Sequence, residues 1–267
     1  MPTITTNDGV DLHVTDEGTG SPVVLVAGYG APATSWAFQT EALLAMGHRV
    51  LGFDRRWHGE SARPPHGHRL SRHGKDLHDA LVALDLRDAV LVGGSMGAGT
   101  IWACLSLFGA DRVRGVVSVD QTPKMINSAD WPYGFYGLTE QNSGDFFAKG
   151  VPKTGRGYSA AKSLKSAARL VKKAGMGAVP NDPGKETWPL LHDHAHQDWR
   201  DVVQRCDVPV LMLAGRDSQL WPWQHAEAAV TGNPNGRAVV IDDCGHGANF
   251  DQPDRVNAEI LAFLGDL

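Results

Sequence analysis

Three observations predict an α/β fold: a mostly parallel central sheet with helices on both faces and one inserted cap. Short, continuous apolar runs of strand length alternate with helical stretches, the pattern of strands buried on both faces. One such run, Val90-Leu-Val-Gly-Gly-Ser95-Met-Gly-Ala-Gly99, passes directly into a glycine-bracketed serine and then a helix. The alternation breaks once, between Asp120 and about Cys206, where no buried strand can be read. The expected organisation is therefore a core made of 1–120 and 207–267, with 121–206 as a cap over the carboxyl ends of the strands.

The elements follow in order. Thr3–Thr6 and Val10–Thr15 flank Asn7-Asp8-Gly9, a hairpin signal. Gly18-Thr-Gly-Ser-Pro22 is a second turn, and Val23–Ala27 is an apolar strand. Trp36–Met46 carries apolar residues at helical spacing and stops at Gly47. Arg49–Phe53 reads as a strand, Leu77–Leu84 as a helix and Ala89–Val92 as the strand leading to Ser95. Ala98–Phe108 is a helix, Val113–Val119 a buried strand. Ala160–Ala174 reads as a basic amphipathic helix, with Leu164, Leu170 and Val171 inward and its lysines in solvent. Val208–Ala214 (strand), Gln224–Val230 (helix), Ala238–Ile241 (strand) and Pro253–Leu264 (helix) close the chain.

Composition narrows the function classes. A chain of 267 residues buries a sizeable core, and 42% hydrophobic with 21% charged residues is ordinary for a globular protein. A net charge of −5 without a basic block argues against nucleic acid as a partner. No apolar run reaches membrane-spanning length, so no membrane partner is expected. The N-terminal stretch lacks the basic and apolar regions of a signal peptide. Three scattered cysteines (Cys104, Cys206 and Cys244) suggest a reduced, cytoplasmic chain rather than a disulfide framework.

Strand, Gly93-x-Ser95-x-Gly97 and helix in that order form a nucleophile elbow, in which a tight turn lifts the serine hydroxyl above the sheet edge. A serine at neutral pH needs a base to take its proton and a third group to hold that base. His246, between Gly245 and Gly247 in the loop after the last strand, is the expected base. Asp217, just beyond the strand Val208–Ala214, is the expected acid; Asp120, at the end of Val113–Val119, is its competitor. The developing oxyanion needs preorganised donors. These are expected from the N–H of Met96, which follows the nucleophile, and of Tyr29 in Gly28-Tyr29-Gly30.

Together these residues resemble the α/β-hydrolase superfamily, from about residue 10 to the C-terminus. Gly93-Gly-Ser95-Met-Gly97 is similar to the elbow of its esterase and cofactor-free haloperoxidase (perhydrolase) branch. Phe53-Asp-Arg-Arg-Trp-His-Gly-Glu-Ser61 resembles that branch's Asp-x-Arg-Gly-x-Gly-x-Ser loop, which shapes the sheet edge and is not catalytic. Trp57 stands where that pattern has glycine, and Ala27-Gly28 where the family often has His-Gly. Gln197-Asp-Trp199-Arg-Asp-Val and Leu220-Trp-Pro-Trp223 are also similar to small esterases of the group. The resemblance implies hydrolysis of a carboxylic ester or lactone through an acyl-serine, with no metal or organic cofactor. Perhydrolysis on the same triad is an alternative, as is a small-molecule receptor on a hydrolase scaffold. Trp57, Trp131, Tyr133 and Trp221 are candidate substrate-binding aromatics. His192-Asp-His194-Ala-His196 reads as structural or solvent-facing rather than metal-binding, and His66, His68, His73 and His78 read as surface.

Overall fold

One eight-stranded sheet in the order β1-β2-β4-β3-β5-β6-β7-β8 organises the computed structural model, which describes residues 3–267. Met1 and Pro2, part of the N-terminal stretch read for a signal peptide, lie outside the described residues. The first hairpin is β1 (Thr3–Thr5) against β2 (Asp11–Glu17), antiparallel with Thr3 opposite His13. The strands β3 (Pro22–Val26), β4 (Arg49–Phe53), β5 (Ala89–Gly94), β6 (Val113–Val119), β7 (Val210–Gly215) and β8 (Gly236–Ile241) pair in parallel; β2 joins β4 antiparallel.

Side-chain alternation along these strands divides the core into two layers. On one face Val24, Val26, Leu91, Val116 and Met212 pack with the helices α2 (Leu70–Ala83), α3 (Met96–Phe108), α6 (Arg200–Gln204) and α7 (His225–Val230). On the other, Val23, Leu25, Val90, Val117 and Leu211 pack with α1 (Ala37–Ala45) and α9 (Pro253–Gly265). Burial on both faces explains why these strands read as unbroken apolar runs. The helix expected at Leu77–Leu84 begins at Leu70, because its first turns bury the polar side chains of His73 and Asp76 and so carry no apolar signal. His73 is thereby a core residue, not a surface one.

Between β6 and β7 the chain forms helices α4 (Ala160–Ala174), α5 (Trp188–Ala195) and α6, joined by turns. Met125, Phe135, Leu138 and Phe147 pack there with Leu190, Leu191 and Trp221 in a third apolar cluster. In α4 only Ser166 and Leu170 are fully buried; Leu164, expected inside, is 72% exposed. The helix leans on the core partly through ion pairs, Lys162 with Asp243 and Lys173 with Glu41. His192 in α5 and His196 just after it pack ring against ring on the outside, and His194 turns inward against Gly99. No helix among the described residues is long and apolar enough to cross a membrane.

The chain leaves β3 for β4 on one side and later returns to β5 on the other. The carboxyl ends of β3 and β5 therefore flank a topological switch point, where open α/β sheets leave a crevice for ligands. Ser95 and the Gly28–Gly30 loop stand at those two ends.

Candidate active site

Ser95 joins β5 to α3 with φ 50° and ψ −129°, a conformation that L-residues rarely adopt. The turn is tight enough that neighbouring side chains do not fit. A Cβ on Gly97 would lie 2.1 Å from the Val26 carbonyl oxygen, and one on Gly93 2.5 Å from the Ala98 nitrogen. The Ser95 N–H donates to the Val119 carbonyl at 3.0 Å, which ties the elbow to the end of β6.

Ser95 Oγ lies 2.9 Å from His246 Nε2, and His246 Nδ1 lies 2.7 Å from Oδ2 of Asp120. The imidazole is delivered by the loop between β8 and α8 (Ala248–Asp251). Its backbone N–H donates to Gln219 Oε1 at 2.8 Å, and the preceding Gly245 N–H to Asp251 Oδ2 at 3.0 Å. The Trp221 indole meets the ring edge to face at 5.1 Å, fixing its tilt. Asp120 also has a positive φ, 47°, which turns its carboxylate under His246 immediately after β6.

The acid expected from sequence, Asp217, does not reach His246. Its N–H donates to the Cys244 carbonyl and its carbonyl accepts from Tyr158, while no hydrogen bond joins its carboxylate to the imidazole. The chain turns after Gly215, with the Ser218 N–H closing back on the Gly215 carbonyl, and Ser218 takes the inward place. Its hydroxyl donates to Asp120 Oδ2 at 2.7 Å, and the Gly215 N–H donates to Oδ1 at 2.9 Å. His225, fully buried, stands 3.9 Å from the same Oδ1. Burial opposes the charge on Asp120, but the two imidazoles outweigh it and hold the carboxyl at about 2. Sequence reasoning missed Ser218 and His225. The available signal was Asp120 itself, a carboxylate placed at once after Val-Val-Ser-Val, where burial is costly unless donors converge on it.

Met96 opens α3, where the first N–H groups have no intrahelical acceptor. Tyr29 lines a cavity of about 190 Å³ together with Ser95 and His246; its other walls include Ala31, Trp36, Val119 and Phe250. A Cβ on Gly28 would lie 3.0 Å from the Ser95 Cβ, so glycine lets this loop approach the nucleophile closely. The loop is stitched to the cap: Asn181 N–H donates to the Gly30 carbonyl at 2.9 Å, and Tyr29 Oη lies 2.6 Å from Thr187 Oγ1 and 3.1 Å from Asp182 Oδ1. Burial raises the phenol's pKa, so Tyr29 stays neutral.

The four candidate substrate aromatics lie outside this cavity. Trp57 does need the backbone its glycine-like position implies, with φ 70°, but its indole donates to the Pro64 carbonyl and tilts against His68 beside a separate groove. Trp131 is buried, donates to the Lys124 carbonyl and meets Tyr133 edge to face, so both anchor the cap segment. Trp221 is buried behind His246 and contacts the base, not the cavity. The aromatic walls are instead Tyr29, Trp36 and Phe250.

A serine, an imidazole and a buried carboxylate linked in this way on a doubly covered parallel sheet define a serine-hydrolase-type centre. The chain belongs to the alpha/beta hydrolase fold family, which it matches over residues 21–253. It is 30% identical to a non-heme haloperoxidase of Rhodococcus erythropolis, with 99% of both chains covered. It is 27% identical to a bifunctional esterase/perhydrolase of Acinetobacter calcoaceticus, again over 99% of each. Among solved structures, a bromoperoxidase from Bacillus anthracis superposes with a TM-score of 0.82 at 27% identity, covering 99% of both chains.

Proposed function

We propose that this protein hydrolyses a small carboxylic ester or lactone through an acyl-serine intermediate. The observation that carries the proposal is the continuous relay from Ser95 Oγ through His246 to Asp120, at 2.9 and 2.7 Å. In this reading Ser95 Oγ attacks the substrate carbonyl carbon as its proton passes to His246 Nε2. Asp120 keeps the imidazole in the Nδ1–H tautomer and stabilises its cation. The N–H groups of Tyr29 and Met96 receive the charge that develops on the carbonyl oxygen. His246 then protonates the leaving alcohol. A water molecule, deprotonated by the same imidazole, attacks the acyl-enzyme and releases the acid.

Ligand sites commonly span about 300–1,000 Å³, and the cavity beside Ser95 is smaller than that range, at about 190 Å³. Its apolar walls therefore favour short acyl groups. The relatives named haloperoxidase and perhydrolase support a second reaction on the same centre, in which hydrogen peroxide replaces water and the acyl group leaves as a peracid. The free, scattered cysteines support a reducing, cytoplasmic setting.

A fluorophosphonate probe tests the reading. Wild-type protein should be labelled at Ser95 and should cleave short p-nitrophenyl esters faster than long ones. Ser95→Ala should lose both activities while remaining folded. A Ser95→Ala protein that retains full esterase activity would refute the proposal. Peracid formation that outruns ester hydrolysis when peroxide is added would instead make perhydrolysis the primary reaction.

A further inference from the structure

Two adjacent arginines follow β4 and behave differently. Arg56 is paired with carboxylates: it chelates Asp76 at 2.6 and 2.7 Å and reaches Asp8 at 3.2 Å. Arg55, only 1% exposed, touches no carboxylate at all. Its Nε–H donates to the Ala27 carbonyl at 3.0 Å, and Nη2 to the Gly28 carbonyl at 2.7 Å. Nη2 also reaches His58 Nε2 at 3.0 Å, and Nη1 reaches His73 Nδ1 at 3.1 Å and Met96 Sδ at 3.3 Å. All five N–H donors of the guanidinium are thus used.

The protonation states agree with this arrangement. Burial, reinforced by the Arg55 charge, pushes His58 and His73 well below the ordinary imidazole value, so both are neutral acceptors. The His58 Nδ1–H is committed to the Arg56 carbonyl at 2.9 Å, leaving Nε2 to accept. Burial lowers Arg55 to about 9, which still leaves it charged at neutral pH.

The groups that Arg55 holds are those next to the two expected oxyanion donors. A trans peptide is planar, and its C=O and N–H point in opposite directions. Fixing the Gly28 carbonyl on the guanidinium therefore turns the Tyr29 N–H of the same peptide the other way. Gly28 faces Ser95 closely enough that a Cβ would touch it, and Tyr29 lines the Ser95 cavity. A positive charge at the carbonyl end also polarises the amide and makes its N–H a stronger donor. The second expected donor belongs to Met96, whose thioether rests on the same guanidinium. A buried charge without a carboxylate partner is a poor way to add stability, and five neutral acceptors hold this one in place against the loop.

We propose that Arg55 is a positioning residue of the oxyanion hole, which aims and polarises the Tyr29 N–H by holding the Ala27 and Gly28 carbonyls. The inference rests on the acyl-serine reading above. Labelling of wild-type Ser95 comes first, because its absence would sink that reading and not the role of Arg55.

Arg55→Lys and Arg55→Gln are then compared with wild type, with folding checked by near-ultraviolet circular dichroism. The expected result is a kcat lower by about ten- to a hundredfold, less than or equal to the loss of a whole oxyanion donor, with KM nearly unchanged. Phenylboronic acid, which mimics the tetrahedral intermediate, should bind more weakly by the same factor, and Arg55→Lys should retain more activity than Arg55→Gln. Arg56→Lys serves as the structural control; it should lower Tm and leave kcat intact at a temperature where it is folded. Folded Arg55 variants with wild-type kcat and boronate affinity would overturn the proposal, as would a loss confined to KM. If neither variant folds, the wild-type Tyr29 amide proton, followed by NMR, must move downfield when phenylboronic acid binds; an unmoved resonance overturns the proposal equally.

Discussion

Ser218 and Asp120 share a hydrogen bond of 2.7 Å, and the oxygen that accepts it is the one facing His246 Nδ1. Orientation of the base is therefore shared between two strand ends. The end of β6 supplies the carboxylate, and the turn after β7 supplies a hydroxyl that steadies it. With the Gly215 N–H on the other oxygen, the carboxylate is fully solvated by protein although none of it is exposed to water.

The first prediction separates the two aspartates. Asp120→Asn should reduce kcat for ester hydrolysis by about 10³- to 10⁴-fold, because the neutral amide neither fixes the Nδ1–H tautomer nor stabilises the imidazolium. Asp217→Asn should stay close to wild type, since its side chain does not meet the base. Steady-state kinetics on both variants decide the matter, and the reverse order would return the role to Asp217.

Acid stability should carry the signature of Asp120. Its carboxyl is held at about 2, below the ordinary value of 3.8, so the charged form is favoured in the folded protein. The resulting stabilisation is complete above about pH 4 and disappears as pH falls through about 2. Urea midpoints measured from pH 5 to pH 2 should show wild type losing stability across that window. Asp120→Asn should lack this component, so the two curves should converge at the acid end.

Steric closure at the elbow should be unforgiving. Gly97→Ala would put a Cβ 2.1 Å from the Val26 carbonyl oxygen, a contact that only backbone movement relieves. A cost of about 3 kcal/mol or more is expected, in the range of strained or overpacked positions. Thermal melting would measure it, and a Tm equal to wild type would show that the turn can open.

Substrate length should respond to the cavity walls and not to the cap anchors. Phe250→Ala enlarges the space beside Ser95 and should shift the preferred p-nitrophenyl ester toward longer acyl chains. Trp131→Phe removes an indole that bonds Lys124 away from the cavity, and should lower Tm without altering the chain-length profile. A shift in that profile from Trp131→Phe would mean that the cap segment reaches the acyl group.

The strands, the elbow and the histidine that meets Ser95 were legible because each announces itself locally: apolar runs for strands covered on both faces, glycines beside Ser95, glycines around His246. The start of α2 was hidden because its core face there is polar, His73 accepting from Arg55 and Asp76 chelating Arg56. The acid was misassigned for a geometric reason. Proximity to a strand end is visible in sequence, but the turn that sends Ser218 inward instead of Asp217 is closed by a backbone hydrogen bond that no residue type signals. Aromatic content marked Trp57, Trp131, Tyr133 and Trp221 as wall candidates, yet the cavity takes Trp36 from a segment read only as helical and Phe250 from the stretch between His246 and the last helix, since residue type does not say which surface a ring covers.

The seam between Gly30 and Asn181, reinforced by Tyr29 on Thr187, fastens the cap segment that puts Pro180 in the cavity wall to the strand-end loop that would bear the charge of the reacting carbonyl. On the proposed mechanism, selectivity and speed are consequently wired in series. An engineer who remodels residues 181–187 to admit bulkier molecules will disturb turnover in the same stroke, and must retune both ends of the seam together.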